Sequence, residues 1–424
     1  MSEINLIELP PEILVNIFRR LKITDLRNLM LSCKYLREYI ENEGSLWKFV
    51  CRGRLIMSTN EKRFPITWYN RSRISYNWCK GIFKSKLIVQ HSTNYIPWMQ
   101  LFSDVLILSI GSELKCFAID KTGFNRGLLW SIHVPIMQRY DVRTNDVSRF
   151  ILRENLIVCG NRDGSTVVYQ FTDIRQKPRL LYYIENCHEN GQVEVTAVEL
   201  FNNSVITCSN ISQHVCLWSM DEDISNERFV NNTNSISMSE FIIPECVGSR
   251  SLAVDPTKSK LAIGPNGNSK PILLDINTGN YLLTSKETKD LRHVIRDIQW
   301  HNENGLIYVS HSGKLQYIDI RTNDVVYDAR DPFQSSLYCV KSDGDRAVIV
   351  GSSEYSRCVL FDLHSSHHVQ MYFTQKKSSP IYSLDFDARK LVAAADRGVA
   401  VANFNVNAST TKKKDYSHIF EFVT

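Results

Sequence analysis

No apolar run in this sequence reaches the roughly 18 residues that a bilayer-crossing helix needs, so no membrane span is expected. No C-x-x-C pair occurs among its 11 cysteines, and no Cys/His cluster has metal-ligand spacing. The first residues, Met1-Ser2-Glu3-Ile4-Asn5, lack the basic-then-apolar order of a secretory leader. An odd, dispersed set of thiols without a leader reads as reduced cysteine, which points to the cytoplasm or nucleus. The glycosylation triplets at Asn70, Asn202, Asn210, Asn231 and Asn407 are then chance matches. There is no G-x-x-x-x-G-K-[ST], no G-x-S-x-G and no H-E-x-x-H, so an enzyme is disfavoured and no cofactor or metal is expected.

Excess charge is also small, a net +5, and it is unevenly placed. Residues 1–55 carry +2, residues 56–91 carry +6, and the remainder carries −3. A nucleic-acid reader would put a basic face on its main domain, so nucleic acid is not an expected partner. The basic stretch reads first as a solvated helix face and second as a surface for an acidic partner.

Apolar side chains crowd the first fifty residues. Pro10 and Pro11 suit a helix start, because proline brings a preset φ and lacks only an N–H that the first turn leaves unpaired. Ile13, Leu14, Ile17, Phe18 and Leu21 then share one helical face. Thr24 is a candidate N-cap for a second helix bearing Leu26, Leu29 and Met30. A third helix carries Leu36, Tyr39 and Ile40, and Ser45 could cap a fourth that begins Leu46-Trp47. So small a unit buries little of its own surface, so part of this apolar face must meet something else.

Residues 55–96 combine aromatic and basic side chains. Ile74, Trp78 and Ile82 recur at four-residue spacing, which predicts a helix with a buried stripe that packs between domains. After Pro97 the texture becomes short β-rich runs separated by turns. One run recurs seven times, with anchors at Phe117, Tyr169, Trp218, Leu274, Ile318, Phe361 and Ala402, spaced 52, 49, 56, 44, 43 and 41 apart. Residues 337–373 show the full unit: four short strands with a turn at Asp343-Gly344-Asp345. Four strands at a period in the forties predict the blade of a β-propeller. The last copy has only three strands, and its fourth is expected from Leu87-Ile88-Val89-Gln90-His91 or from Ile419-Phe420-Glu421-Phe422.

Two family resemblances follow from these residues. Leu9-Pro10-x-Glu12-Ile13-Leu14-x-x-Ile17-Phe18-x-x-Leu21, then Asp25-Leu26, Ser32-Cys33-Lys34 and Leu46-Trp47, resembles an F-box. It departs at Tyr35-Leu36, where the family often has a tryptophan. The recurring strands resemble degenerate WD repeats: Trp218 is the one repeat-ending tryptophan, Asp275, Asp319 and Asp362 match the aspartate that usually follows it, and Asp163-Gly164 fits a tight turn. His188 could be the family's histidine, although the His, Asp, Ser/Thr, Trp tetrad is complete in no repeat.

The expected organisation is an all-β, seven-bladed WD-type propeller preceded by a small all-α F-box domain and a helical linker. Its expected boundaries are 1–54 for the F-box, 55–96 for the linker with a possible closing strand at 86–91, 97–404 for the propeller and 405–424 for a tail. The resemblance implies docking to the Skp-type adaptor of a cullin–RING (SCF) ubiquitin ligase through Leu9, Pro10, Ile13, Leu14, Ile17, Phe18, Leu21, Leu26, Leu46 and Trp47. The propeller would hold a protein target for ubiquitination and proteasomal degradation, or serve as a scaffold without degradation. Related receptors grip phosphorylated targets with arginines at the central channel, which makes Arg250, Arg292, Arg296 and Arg330 candidates, together with Arg139, Arg143 and Arg357.

Overall fold

The computed structural model describes residues 6–58 and 66–411, apart from 103, 124, 136, 138–145, 221–235, 244–245, 285–291 and 376–377. It divides into two compact units, one of residues 1–84 with 387–389 and 404–424, the other of residues 85–386 with 390–403.

The first unit is helical. Pro10 precedes α1 (Pro11–Phe18), with proline in the first turn as its chemistry allows. The second helix, α2 (Ile23–Ser32), begins one residue before Thr24, and Lys22 rather than Thr24 stands at its N-cap without a side-chain bond. In α3 (Lys34–Asn42) the cap is Cys33, whose Sγ accepts from the Leu36 N–H. In α4 (Gly44–Val50) the cap is Glu43, not Ser45: its carboxylate accepts from the Ser45 N–H at 3.0 Å. A carboxylate beside the positive end of a helix is favoured over a hydroxyl two positions later. Then α5 (Trp68–Lys80) starts at a Thr67 cap and stops at Gly81, whose φ of 65° is left-handed.

Ile74 and Trp78 form the buried stripe of α5; Ile82 is also buried, but lies beyond the helix end. Trp78 stacks on Phe404 at 3.6 Å between centroids and donates its indole N–H to the Ala388 carbonyl at 2.8 Å. Asn77, fully buried, donates to the carbonyls of Phe404 and Val406.

The second unit consists of seven four-stranded antiparallel sheets. These are the blades of a propeller, covering 99–133, 147–184, 197–242, 248–283, 295–330, 337–373 and 381–403. The seventh blade has three strands of its own, and β1 (Lys84–Gln90) is its fourth, paired beside Gly398–Asn403. The propeller sheets therefore take in residues N-terminal to position 97. The other candidate closing strand, Ile419–Phe422, lies outside the described residues.

Buried aliphatic clusters run from blade to blade, because each sheet is apolar on both faces and must be covered twice. One cluster joins blades 1 and 2 around Leu114, Trp130, Phe150 and Tyr169; another joins blades 5 and 6 around Ile307, Leu315, Val348 and Phe361. Glycine lets the sheets approach. A Cβ on Gly160 would sit 2.7 Å from Val195, and one on Gly351 would sit 2.8 Å from Ile381, both on the next blade. Asp275, Asp319 and Asp362 each cap a turn, accepting from the N–H groups of Asn277, Arg321 and His364.

Blade 3 assembles three of the four tetrad residues. Thr207 Oγ1 accepts from the Trp218 indole N–H at 3.0 Å and lies 3.0 Å from His188 Nε2. The fourth place is taken by a thiol: Cys216 Sγ is 3.7 Å from His188 Nδ1. With no carboxylate there, burial lowers the His188 pKa to about 4. The unfolded chain therefore binds a proton that the folded chain refuses, so stability is complete above about pH 6.5 and falls as pH drops toward 4. By pH 5 this one group is expected to cost about 2 kcal/mol. Thermal melts at pH 7.5 and 5 should show His188→Gln losing less stability on acidification than the parent protein.

Candidate functional site

Two surfaces follow from these units. On the helical one, Leu14, Phe18, Leu26, Leu36, Ile40, Leu46 and Trp47 form the core, each at most 6% exposed. Trp47 donates its indole N–H to the Ile40 carbonyl at 2.7 Å and packs against Tyr69 at 5.0 Å. Leu14, Phe18, Leu26, Leu46 and Trp47, read from sequence as docking residues, are thus interior: they fix the shape of the surface instead of lying on it. Leu9, Ile17 and Leu21 are half-buried against that core. Pro10, at the N-cap, is exposed, and Ile13 in the first turn of α1 is 47% exposed.

The structure adds aliphatic and aromatic residues that periodicity assigned no role. Ile7 is 43% exposed, Leu31 75% and Tyr35 50%. The sequence signal for Leu31 is that it follows Leu29 and Met30, so α2 carries more apolar residues than one buried stripe can use.

The second surface is the mouth of the propeller's channel. In five blades the innermost strand carries a bulge at its N-terminal end. The extra residues are Ser148, Arg250, Arg296, Tyr338 and Tyr382. A bulge re-aims one side chain: Ser148 turns to the carbonyls of Gly160 and Val195, whereas Arg250, Arg296, Tyr338 and Tyr382 stand at the equivalent position at one end of the channel. The Arg296 guanidinium lies 4.9 Å over the Tyr338 ring, Tyr338 stacks on Tyr382 at 5.9 Å, and Arg296 Nη2 is 3.1 Å from His311 Nδ1. Burial lowers the Arg296 pKa, and the Arg250 charge lowers it further. His311 is lowered by burial and then by both arginines. Among the described residues neither Arg250 nor Arg296 has a carboxylate partner, so this mouth is a pair of like charges without a counter-charge.

The other candidate arginines are elsewhere. Arg330 is exposed at the end of an outer strand, Asp324–Arg330, away from the channel. Arg292 is exposed ahead of the fifth blade. Arg357 is fully buried, its Nη2 paired with Asp331 Oδ2 at 2.5 Å, and belongs to the interior of blade 6. Arg139 and Arg143 lie outside the described residues.

Below the mouth the channel opens into a cavity of about 400 Å³. Arg149 of blade 2 crosses it to Asp297 of blade 5 at 3.1 Å and lies 4.0 Å over the Trp98 ring. Side-chain acceptors staple neighbouring inner strands. Asp297 Oδ2 takes the Val340 N–H, Gln299 the Ser342 N–H, Gln100 the Leu152 N–H and Asp385 the Leu101 N–H. Backbone donors facing a channel between sheets would otherwise lack partners.

Comparison with known proteins agrees with both halves. An F-box-like family profile matches residues 6–53. The helical module and the seven-bladed propeller together have the architecture that the name F-box/WD-repeat protein describes. The chain is 23% identical over 409 residues to mouse F-box/WD repeat-containing protein 4, covering 93% of this chain and 92% of that one. The human protein of the same name, dactylin, matches to the same extent. Residues that resemble dactylin include Asn77-Trp78, Pro97-Trp98-Met99-Gln100-Leu101, Ser336-Leu337-Tyr338-Cys339 and Gly351-Ser352-Ser353-x-Tyr355. The crystal structure of the computationally designed Ika8 protein superposes with a TM-score of 0.50 at 14% identity, covering 75% of this chain and 98% of that one, a likeness of fold.

Core and surface positions of the helical unit separate experimentally. Leu14→Ala should destabilise it by about 3 kcal/mol, because a cavity is left in a full core. Ile13→Ala should change stability by less than about 0.5 kcal/mol. Amide hydrogen exchange across residues 11–50 measures both.

Proposed function

We propose that this chain is the target-binding receptor of an SCF-type ubiquitin ligase, fixing its helical unit to a Skp-type adaptor and presenting a protein held by the propeller for ubiquitination and degradation. The observation that carries the reading is that Ile7, Pro10, Ile13, Leu31 and Tyr35 stand outside a helical core that is already full. A monomer gains nothing from such exposure, whereas an interface buries it at about 25 cal/mol per Å².

In this reading the chain performs no bond chemistry. Its contribution is effective concentration: a target tethered to the same assembly as the conjugating enzyme meets it as an intramolecular partner. The unneutralised arginines of the channel mouth, Arg250 and Arg296, are the proposed contacts to an acidic group on the target, with the Tyr338–Tyr382 stack as their apolar floor. The site of action that goes with this role is the cytoplasm or nucleus.

Pro10→Asp with Ile13→Asp should cut capture of purified Skp-type adaptor at least tenfold while the propeller's melting temperature stays put. Undiminished capture would remove the docking assignment. Arg250→Glu with Arg296→Glu should spare adaptor capture and abolish recovery of co-purifying targets; unchanged recovery removes the mouth as their site. Reconstituted ubiquitin transfer to those targets separates a ligase receptor from a scaffold, which would bind them without conjugation.

A further inference from the structure

We propose a second docking point on the same propeller face, at the outer part of blade 3, that takes an aliphatic side chain carried beside a lysine or arginine on the bound protein. It rests on the reading of the propeller as a target receptor, and it names the chemistry of a part of that target which the channel mouth does not touch.

Between the turn at 209–213 and the residues leading into blade 4 lies an open hollow of about 380 Å³. Its lining is Glu189, Ile211, Gln213, His214, Cys246 and Val247. Ile211 is 62% exposed and Val247 38%. Ile242, opposite His214 in the ladder, is 58% exposed. Single exposed aliphatics are ordinary; two lining one hollow, with a third at the ladder partner of another lining residue, are a surface with something to cover it.

The framework under them is rigid. Ser212 Oγ donates to Glu189 at 2.9 Å, and Gln213 Nε2 donates to the Cys246 carbonyl at 2.6 Å. The Ser249 N–H reaches the Ser209 carbonyl at 2.7 Å, and the Val247 N–H reaches that of Asn266 at 3.2 Å. Gly248 brings the two segments together so closely that a Cβ there would stand 2.3 Å from the Asn210 carbonyl carbon. The aliphatic side chains are held outward by hydrogen-bonded backbone and are not the tips of a loose loop.

Charge selects the occupant. Among the described residues the exposed carboxylates here are Glu189, in the lining, and Glu240, beside the lining residue His214. Among the described residues His214, 3.0 Å from Glu240, is the one basic side chain of the hollow, and none of them that lines it is lysine or arginine. The channel mouth has the opposite sign, and Arg250 is three residues on from Val247, roughly 10 Å along an extended chain. A peptide running outward from the mouth therefore meets cations first, then a mixed hollow that offers Ile211 and Val247 as its aliphatic contacts and Glu189 as a carboxylate. A Leu, Ile, Val or Met flanked by Lys or Arg complements that hollow in both shape and sign; a flanking acid does not.

The test uses the full chain bound to its adaptor and a phage library of random 12-residue peptides. Selection should enrich an aliphatic residue adjacent to Lys or Arg. Synthetic copies of the enriched peptides should bind at least tenfold more weakly to Ile211→Glu and to the pair Glu189→Lys with Glu240→Lys, with adaptor capture unchanged. Enrichment without that pattern, or equal affinity for Ile211→Glu, overturns the proposal. So does a dimer that Ile211→Glu turns into a monomer in sedimentation, because the hollow would then join copies of this chain. Weaker binding to Ile211→Glu with full binding to Arg296→Glu keeps this site and removes the mouth, so the two readings fail separately.

Discussion

Closure of the propeller is the constraint on which everything else depends. No single blade can exist alone, since a four-stranded sheet with two apolar faces has nothing to lay against either of them. Pairing of β1 with the strand Gly398–Asn403 joins the beginning of the propeller to its end and removes the open edge that the last sheet would otherwise present. Once the ring is closed, the inner strands converge, and the problem becomes how to satisfy backbone donors that line a channel. Asp297, Gln299, Gln100 and Asp385 solve it by reaching to the next blade. The arginines and tyrosines of the mouth stand on that stapled ring.

Much of this is legible in the amino-acid sequence. Seven recurring runs mark the third strand of every blade, because that strand carries a large or aliphatic anchor near its end and its terminal aspartate, where present, caps the following turn. The helices of the first unit are legible through their periodicity, but their ends are not. Thr24 and Ser45 look like caps by residue type, yet Lys22, without a side-chain bond, and Glu43, through its carboxylate, occupy those places two residues earlier. Periodicity also cannot separate a core face from a docking face when both are apolar. That is why Leu14 and Ile13, adjacent in sequence, look like members of one set and stand at 1% and 47% exposure.

The channel mouth is half visible in the same way. Arg250 and Arg296 are candidates by charge alone, and so are Arg330 and Arg357, which are not there. What distinguishes the members is phase: Arg250, Arg296, Tyr338 and Tyr382 occupy the same bulged position in successive blades. A bulge adds one residue to a strand whose pattern otherwise alternates, so counting by twos hides it. His188 shows the reverse case. It lacks the flanking glycine of its family, but its imidazole still reaches Thr207, because contact depends on where the blade places the backbone and not on the neighbouring letters.

The helical unit and the propeller use hydrophobic residues in contrasting ways. In the first, a compact core of seven large side chains frees others to remain uncovered. In the second, most large aliphatics lie between sheets, and those left exposed are spread around the blades, Ile211, Ile242 and Val247 among them.

The contact between Arg149 and Asp297 acts as a crossbar. No extended polypeptide can thread the axis past it without parting two opposite charges in a confined space. Whatever this propeller engages must therefore approach broadside and lie across the opening, its reach into the hole limited to the tips of individual side chains.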